Sequence, residues 1–362
     1  MVQLHAVAQI IQPAAIPEAF GKTLVDLIAN LGRALPKRLN PIWDRWQSTV
    51  TQVYDTQSGR LDARARHGAV RHGHGDLHLR NACRFRGRVV LFDAIEFAPE
   101  FSHVDILYDM AFAVMDLRHR DKQQAAIVFL SRYLAAMRDY REIAIIRLFM
   151  SVRAAIRALV VACSPESNDD ELTDYMNFAR QVLAPHETPR LIAIGGRSGT
   201  GKSTLAQMLA PICAAAPNIV ILRSDEIRKH IVGRQPDTAL PAAAYDAARS
   251  RAVYRRLRAD AARVLQAGAQ VIVDATFFQP DERDQLRRLA ERLNVPFTGF
   301  WLTAPAATLQ SRLMGRHKDA SDADASVMLR QPVLNTVEDW HTIDTTNGAQ
   351  QALADMRRAL QK

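Results

Sequence analysis

The segment "LIAIGGRSGTGKST", residues 191–204, decides the fold of the second half of this chain. It opens with a short apolar run, which predicts a buried strand, and it leads into a helical pattern. Gly196 to Ser203 fit the spacing G-x-x-x-x-G-K-[ST] between that strand and that helix. Glycines at this spacing let backbone N–H groups surround phosphate oxygens, and the helix N-terminus adds the positive end of its dipole. The segment therefore predicts a phosphate-binding loop, with a chance glycine-rich turn as the alternative.

Two side chains of this loop have predicted roles of their own. We expect Lys202 to reach the β- and γ-phosphates of ATP, where it would act in catalysis, and Ser203 to offer its hydroxyl to Mg²⁺. The other positions would contribute mainly backbone amides. The predicted nucleotide-binding residues are Gly196, Ser198, Gly199, Thr200, Gly201, Lys202, Ser203 and Thr204.

Asp225 and Arg228 follow the next apolar run, in "NIVILRSDEIRKHIVG", residues 218–233. They are spaced so that both face the same way at the start of a predicted helix. Here the chain resembles a group of P-loop kinases that includes gluconate kinases, polynucleotide 5′-kinases, zeta toxins and chloramphenicol phosphotransferases. The resemblance implies that Asp225 is the general base for the acceptor hydroxyl and that Arg228 holds the substrate. A helix N-terminal acid beside a surface arginine is the alternative.

Asp274 ends a third apolar run, in "AQVIVDATFF", residues 269–278. This is the position of a Walker B carboxylate, which holds the Mg²⁺ shell or its water. The next residue is Ala275, whereas an ATPase of the motor type usually has a glutamate there to position hydrolytic water. We therefore expect phosphoryl transfer rather than hydrolysis. A simple strand end is the alternative for Asp274.

Arg312 and Arg316 lie one helical turn apart at the start of a polar segment that continues to residue 331. Small-molecule kinases use such a lid to bring arginines over the transferring phosphoryl group, and this is the catalytic role we predict. Surface arginines on an amphipathic helix are an equal alternative. The later run "WHTIDTTNG", residues 340–348, predicts a last strand and a turn, which contacts adenine in related kinases.

The spacing of apolar runs predicts an α/β fold for the second half, a three-layer α/β/α arrangement around a parallel sheet. The expected strands are 191–195, 219–223, 270–274 and 297–302. The first half is expected to be mainly helical, with a small β-hairpin turning at Arg86–Gly87 and with short helices between the prolines of residues 1–57. The predicted domains are 1–183 and 191–362, joined by a linker at 184–190.

A second motif lies in the first half, in "RHGHGDLHLRN", residues 71–81. Asp76 and Asn81 have the H-x-D-x-x-x-x-N spacing of aminoglycoside phosphotransferases and protein kinases, and Asp93 stands where their second metal-binding acid would be. The resemblance implies that Asp76 orients an acceptor hydroxyl, while Asn81 and Asp93 carry Mg²⁺. A loop that is kept for packing is the alternative.

As a whole, the chain resembles a bifunctional family that fuses an aminoglycoside phosphotransferase-like domain, the equivalent of a kinase C-lobe, to a P-loop ATP-binding domain of the AAA type. The resemblance covers roughly residues 60–362, and Asp105 and Asp109 are its structural acids. The nucleotide-binding N-lobe has no counterpart before residue 60. We therefore expect the first domain to be inactive as it stands. Two explanations stay open: the chain is a truncated form, or a second polypeptide completes the domain.

The amino-acid composition limits which ligands and which cellular compartment are expected. The formal net charge of +9 and the isoelectric point near 9.8 favour anionic ligands. The three cysteines are far apart, which fits a reducing cytoplasm and no zinc site. No apolar stretch is long enough for a membrane span.

These features predict a cytoplasmic kinase that transfers the γ-phosphate of Mg-ATP to a hydroxyl of a small molecule. Two rivals stay open. One is an ATP-responsive scaffold without transfer activity. The other is a nucleic-acid end kinase, which the positive charge favours.

Overall fold

The computed structural model describes residues 1–11, 16–96, 99–166, 168–185, 188–234, 238–314, 328 and 331–361. The chain forms two compact units. Unit 1 comprises Met1–Ala126 and Glu142–His186, and unit 2 comprises Ile127–Arg141 and Glu187–Lys362. Arg316 lies outside the described residues.

The first part of the chain is mainly helical. Its helices are α1 (Val2–Val7), α2 (Ile16–Ala34), α3 (Asn40–Arg66), α4 (Pro99–Ser102), α5 (Ile106–His119), α6 (Gln123–Met137), α7 (Ile143–Ala162) and α8 (Asp169–Gln181), with short 3-10 turns at Lys37–Leu39 and Leu79–Asn81. Its strands form two antiparallel pairs, β1 (Val70–His72) with β4 (His103–Asp105) and β2 (Ala82–Phe85) with β3 (Arg88–Leu91).

The predicted hairpin is confirmed. β2 and β3 pair in antiparallel register around Arg86 and Gly87, which have φ values of 47° and 78°. Positive φ at both central residues is what a tight two-residue turn requires.

The expectation of short helices in residues 1–57 is wrong. Helix α2 has 19 residues and α3 has 27. Pro17 and Pro41 each lie in the first turn of their helix. Backbone N–H groups in the first turn have no partner within the helix, so a proline there costs no helical hydrogen bond. The prolines therefore begin these helices instead of interrupting them.

Unit 1 has its core around α7, which packs against α2, α5 and α8. Trp46 Nε1 donates to Ser151 Oγ at 2.9 Å, and Ser151 Oγ donates in turn to the carbonyl of Ala179 at 2.7 Å. Because these groups are buried, each polar atom would cost free energy without a hydrogen-bond partner, and these bonds supply the partners.

In the described part of the chain, none of the helices combines the length and the apolar character that crossing a membrane requires.

Unit 2 contains a parallel five-stranded sheet with the strand order β6-β7-β5-β8-β9. The strands are β5 (Leu191–Gly196), β6 (Ile219–Arg223), β7 (Gln270–Asp274), β8 (Phe297–Thr303) and β9 (His341–Asp344), close to the predicted runs. The helices along this part of the chain are α9 (Lys202–Cys213), α10 (Ser224–Ile231), α11 (Ala247–Gln266), α12 (Pro280–Arg292), α13 (Ala306–Met314) and α14 (Ala349–Leu360). The α/β fold is as predicted.

The order of the strands positions the site. β5 pairs with β7 so that Ile194 is opposite Asp274, and β6 pairs with β7 so that Arg223 is opposite Asp274. The carboxyl ends of three parallel strands therefore meet at one edge, where open α/β sheets bind ligands.

Candidate active site

The glycine-rich loop between β5 and α9 has a backbone that requires glycine at two positions. Gly196 has a φ of +136°, and a Cβ atom there would lie 2.6 Å from the carbonyl oxygen of Leu302. Gly201 caps the N-terminus of α9 with a φ of +88°. A loop of this shape, followed directly by a helix N-terminus, presents amide groups to an anion. The residues present therefore fit the phosphates of a nucleotide.

Ser203 and Asp274, the two Mg²⁺ ligands predicted in unit 2, are brought together by a hydrogen bond. Ser203 Oγ, in the first turn of α9, donates to Asp274 Oδ2 at 2.6 Å. Only 6% of the Asp274 side chain is exposed. Mg²⁺ in phosphotransferases is held by one or two protein oxygens together with substrate phosphates. A hydroxyl and a carboxylate at the end of the phosphate loop fit that ion.

Lys202 folds back over the loop. Its Nζ donates to the carbonyl of Arg197 at 2.9 Å, and Thr200 Oγ1 donates to the same carbonyl at 2.8 Å. Thr204, the last of the predicted nucleotide-binding residues, is exposed in the first turn of α9. The ammonium group of Lys202 therefore lies at the glycine-rich loop. Its contact with the nucleotide phosphates stays a prediction.

Gln331 was not among the predicted residues, but it lies on the phosphate loop. The backbone amide of Ser198 donates to Gln331 Oε1 at 2.8 Å, and Gln331 Nε2 donates to Ser198 Oγ at 2.9 Å. Close by in sequence, the carbonyl of Met328 accepts from Arg197 Nη2 at 2.7 Å. No pattern in the polar segment before Gln331 could have identified these contacts.

Arg223 is the second residue that sequence analysis missed. Its Nη2 donates to Ser203 Oγ at 2.9 Å, and its Nε lies 3.4 Å from Asp274 Oδ2. Its Nη1 lies 3.5 Å from Glu226 Oε1, and only 5% of the side chain is exposed. An arginine at the end of an otherwise aliphatic buried strand was the sign that could have identified it.

Glu226 lies on the far side of that guanidinium. Burial raises the pKa of Glu226, and the charges of Arg223 and Arg132 oppose that rise. Arg132 Nε is 3.8 Å from Glu226 Oε1, with 60% of the arginine side chain exposed. The ion pairs therefore run from solvent at Arg132, through Glu226 and Arg223, to the phosphate loop.

Glu226 also belongs to the wall of a pocket of about 350 Å³ formed by α6, α10 and α11. The basic residues around it are Arg138, His230, Arg255 and Arg256. The chain of ion pairs thus connects the wall of this pocket with the loop.

Asp225 and Arg228, the predicted base and substrate clamp, lie in α10. Asp225 is half-buried in the first turn of the helix. Arg228 is buried, with its Nη1 donating to the carbonyl of Ala244 at 2.9 Å and its guanidinium 4.7 Å from the centre of the Tyr245 ring. These contacts give Arg228 a packing role, and its role as a clamp stays a prediction.

Arg312, predicted for the transition state, is attached to the turn after β9. Its Nη1 donates to Thr345 Oγ1 at 3.0 Å and its Nη2 to the carbonyl of Thr345. It therefore ties α13 to the turn expected to contact adenine. Its catalytic role, like that of Arg316, stays a prediction.

The loop of residues 73–81 in unit 1 is held by Asp109. The carboxylate accepts from the amides of His74 at 2.6 Å and Gly75 at 2.9 Å. Burial opposes its ionisation, but hydrogen bonding and charge from His5 and Arg153 bring the pKa of Asp109 below its ordinary value. Asp109 thus packs the loop, as expected of a structural acid.

Asp76 and Asn81 are brought together in that loop. Asn81 Nδ2 donates to the carbonyl of Asp76 at 2.9 Å and approaches Asp76 Oδ2 at 3.4 Å. Asp76 has 40% of its side chain exposed, whereas Asn81 is buried. Asp93 is exposed, with a φ of 62°. The catalytic role of Asp76 and the metal-binding roles of Asn81 and Asp93 stay predictions.

Comparison with known proteins bears on unit 2. Residues 191–332 match a family described as an AAA domain. Three uncharacterized proteins, from Mycobacterium bovis and two strains of Mycobacterium tuberculosis, are 29% identical over 295 residues, which are 78% of this chain and 57% of theirs. The chain thus spans little more than half the length of these relatives.

Solved structures of kinases are also similar to part of the chain. A gluconokinase from Sinorhizobium meliloti 1021 is 20% identical with a TM-score of 0.32, covering 48% of this chain and 95% of that one. An APS kinase from Mycobacterium tuberculosis is 16% identical with a TM-score of 0.32, covering 49% of this chain and all of that one. The family match, the parallel sheet and the loop geometry together support a P-loop NTPase domain in unit 2.

Proposed function

We propose that unit 2 binds Mg-ATP and transfers its γ-phosphate to a hydroxyl group of a small molecule. The observation that carries the proposal is the 2.6 Å hydrogen bond between Ser203 and Asp274 at the end of a glycine loop. This pair joins the phosphate-binding amides to a carboxylate on the neighbouring strand. A phosphate cradle and a metal-binding pair in this arrangement serve nucleotide chemistry.

Each residue of the site has a defined part in this proposal. The loop amides and Lys202 bind the triphosphate, and Ser203 with Asp274 would hold Mg²⁺, which neutralises charge on the β- and γ-phosphates when it is bound. Asp225 takes the proton of the acceptor hydroxyl. Arg312 and Arg316 would neutralise the transferring phosphoryl group after nucleotide binding.

Ala275 favours transfer over hydrolysis. It follows Asp274 directly, and its methyl group cannot position or activate a water molecule. Asp225 in α10 instead acts as the base for the hydroxyl of a separate acceptor molecule. The preference for transfer thus depends on side-chain chemistry next to the metal-binding pair.

Unit 1 has a separate place in the proposal. By its resemblance to aminoglycoside phosphotransferases, the loop with Asp76 and Asn81 would orient an acceptor hydroxyl. The inward hydrogen bond of Asn81 supports a formed loop. We assign phosphoryl transfer to unit 2, because the glycine-rich loop and the pair of Ser203 and Asp274 lie there.

The test is a screen of hydroxyl metabolites, including aminoglycosides, with γ-³²P-labelled ATP. Wild-type protein, Lys202→Ala and Asp76→Asn are compared. We expect the label to be transferred by wild type and Asp76→Asn and to be lost in Lys202→Ala. Loss only in Asp76→Asn would refute the assignment to unit 2.

Nucleotide binding is measured on the same proteins by calorimetry. Loss of a charge-assisted contact to phosphate corresponds to about 1.5–3 kcal/mol, so Lys202→Ala should weaken ATP binding by roughly 10- to 150-fold. Lys122→Ala, at an exposed position of unit 1, is the control. ATP binding that survives Lys202→Ala at full strength would show that the site is wrong. ATP binding without acceptor-dependent ADP release would favour the scaffold instead.

A further inference from the structure

Arg223 places a cation at the oxygens that the proposed Mg²⁺ ion would use. Its guanidinium lies 2.9 Å from Ser203 Oγ and 3.4 Å from Asp274 Oδ2. Ser203 uses its proton for Asp274, so its oxygen accepts from Arg223. The arginine therefore competes for the lone pairs that a metal ion needs.

The position of Arg223 is determined by the fold and not by chance contact. It is the last residue of β6, paired in register with Asp274 of β7, and the helix that follows carries Glu226 one turn later. Glu226 Oε1 is 3.5 Å from Arg223 Nη1. Two carboxylates and a strand end thus hold the buried guanidinium beside the phosphate loop.

We infer that Arg223 makes metal binding depend on nucleotide. In the nucleotide-free protein its charge compensates Asp274 and Glu226 and repels a divalent ion from Ser203. When a triphosphate enters the loop, its negative charge balances the guanidinium and the ion together. The metal ion therefore binds with the nucleotide and not before it. This inference rests on the proposed metal-binding pair but does not require phosphoryl transfer.

The expected size of the effect follows from Coulomb's law. A unit charge and a divalent ion about 5 Å apart repel each other at an effective dielectric constant near 20. The energy of this repulsion is larger than the free energy that corresponds to a tenfold change in affinity. Removing the charge of Arg223 should therefore raise the affinity of the nucleotide-free protein for a divalent ion at least tenfold.

The experiment measures Mn²⁺, used in place of Mg²⁺, by the loss of its free electron paramagnetic resonance signal. Nucleotide-free wild type is compared with Arg223→Gln, with the double variant Arg223→Gln/Asp274→Asn and with Arg132→Gln. Arg132 is the matched control, because it pairs with the same Glu226 from the solvent side and does not touch Ser203 or Asp274. Circular dichroism and melting temperature show that each variant is folded.

We expect Arg223→Gln to bind Mn²⁺ at least ten times more tightly than wild type, the double variant to lose that gain, and Arg132→Gln to stay within about twofold of wild type. A folded Arg223→Gln without the gain would overturn the inference. An equal gain in Arg132→Gln would also overturn it, because the effect would then be one of general charge.

A second variant keeps the inference testable if Arg223→Gln does not fold. Arg223→Met keeps most of the length of the buried side chain and removes its charge, so it should show the same gain in Mn²⁺ affinity of at least about tenfold. A folded Arg223→Met without that gain would overturn the inference. These measurements need no acceptor, so failure of the transfer screen would leave them unaffected, and failure here would leave the transfer screen standing.

Discussion

Gly196 shows how one residue shapes the phosphate loop. Its φ is +136°, and a Cβ atom at this position would lie 2.6 Å from the carbonyl oxygen of Leu302, so any side chain would require a shift of the backbone. The neighbouring strand β8, which carries Leu302, therefore limits where the loop can begin. Glycine is needed here by conformation and by close approach together.

We predict that Gly196→Ala destabilises the protein by about 1–3 kcal/mol, because alanine must adopt a strained backbone against a fixed carbonyl. Thermal unfolding measures the loss.

Gly59→Ala is the control for this prediction. Gly59 lies inside α3, where an added Cβ meets nothing within 4 Å. There alanine should stabilise the protein by about 0.5–1 kcal/mol. A Gly196→Ala protein as stable as the parent would contradict the described loop.

At the scale of elements, the edge strand β6 depends on a contact outside the sheet. The backbone amide of Ile221 donates to Ser131 Oγ of α6 at 2.9 Å, and both residues are buried. Helix α6 comes from the first half of the sequence, yet residues 127–141 belong to unit 2. An edge-strand amide is thus satisfied by a segment far away in the chain.

Ser131→Ala should lower the free energy of unfolding by about 1–3 kcal/mol, because a buried amide loses its acceptor. Urea denaturation measures this. Ser164→Ala, at an exposed position, should stay within about 0.5 kcal/mol of wild type. Equal stability of the two variants would mean that water or another group replaces Ser131.

A carboxylate of α12, hydrogen-bonded to Tyr254 of α11, has a raised pKa. Burial raises the pKa of Glu282 from 4.5 to about 6, against the opposing effects of the Tyr254 hydrogen bond and the charges of Arg283 and Arg258. The native state therefore binds more protons than the unfolded state between those two values. In that window, stability decreases as pH rises.

Glu282→Gln removes this dependence. The free energy of unfolding of wild type relative to Glu282→Gln should be highest below pH 4.5 and should fall as the pH rises through about 6. Urea denaturation at several pH values from below 4.5 to neutrality measures this difference in the free energy of unfolding. Glu291→Gln, exposed on the same helix, should keep the wild-type slope. A difference between wild type and Glu282→Gln that does not change with pH would contradict the prediction.

At the scale of the whole molecule, the net charge of +9 is carried by 47 basic against 38 acidic side chains. Several arginines are engaged in ion pairs within the described residues, among them Arg64 with Asp105, Arg223 with Asp274 and Arg256 with Asp260. Such a pair cancels one charge of each sign and leaves the net excess of +9 unchanged. That excess is mostly arginine spread along the chain, without a lysine-rich block. The positive balance is therefore a weak argument for nucleic acid.

We predict that binding to a single-stranded oligonucleotide changes little with salt. The slope of log affinity against log salt should have a magnitude below about 2, which corresponds to few phosphate contacts. Fluorescence anisotropy between about 50 and 200 mM salt measures it. A slope of about 6 or more would support the nucleic-acid end kinase.

The sequence by itself determined the strands of unit 2, the glycine-rich loop that leads into α9 and the meeting of Ser203 with Asp274. These depend on local rules: apolar runs make buried parallel strands, and the loop spacing specifies its own backbone. Asp274 could be expected beside Ser203 because its strand β7 pairs with β5, the strand that leads into the loop. The long helices α2 and α3 were missed, since a proline interrupts a helix or begins it according to a position that the sequence pattern does not show.

Only the tertiary structure decided the contacts of Arg223, Gln331, Arg228 and Ser131. Each depends on pairs of residues that are distant in the chain, such as Ser198 with Gln331 and Ser131 with Ile221. Their side chains form hydrogen bonds or ion pairs with buried groups. The sequence contains several polar residues that could do this and does not show which of them is the partner. The partner is chosen by strand order and register, because these set which groups meet within hydrogen-bonding distance.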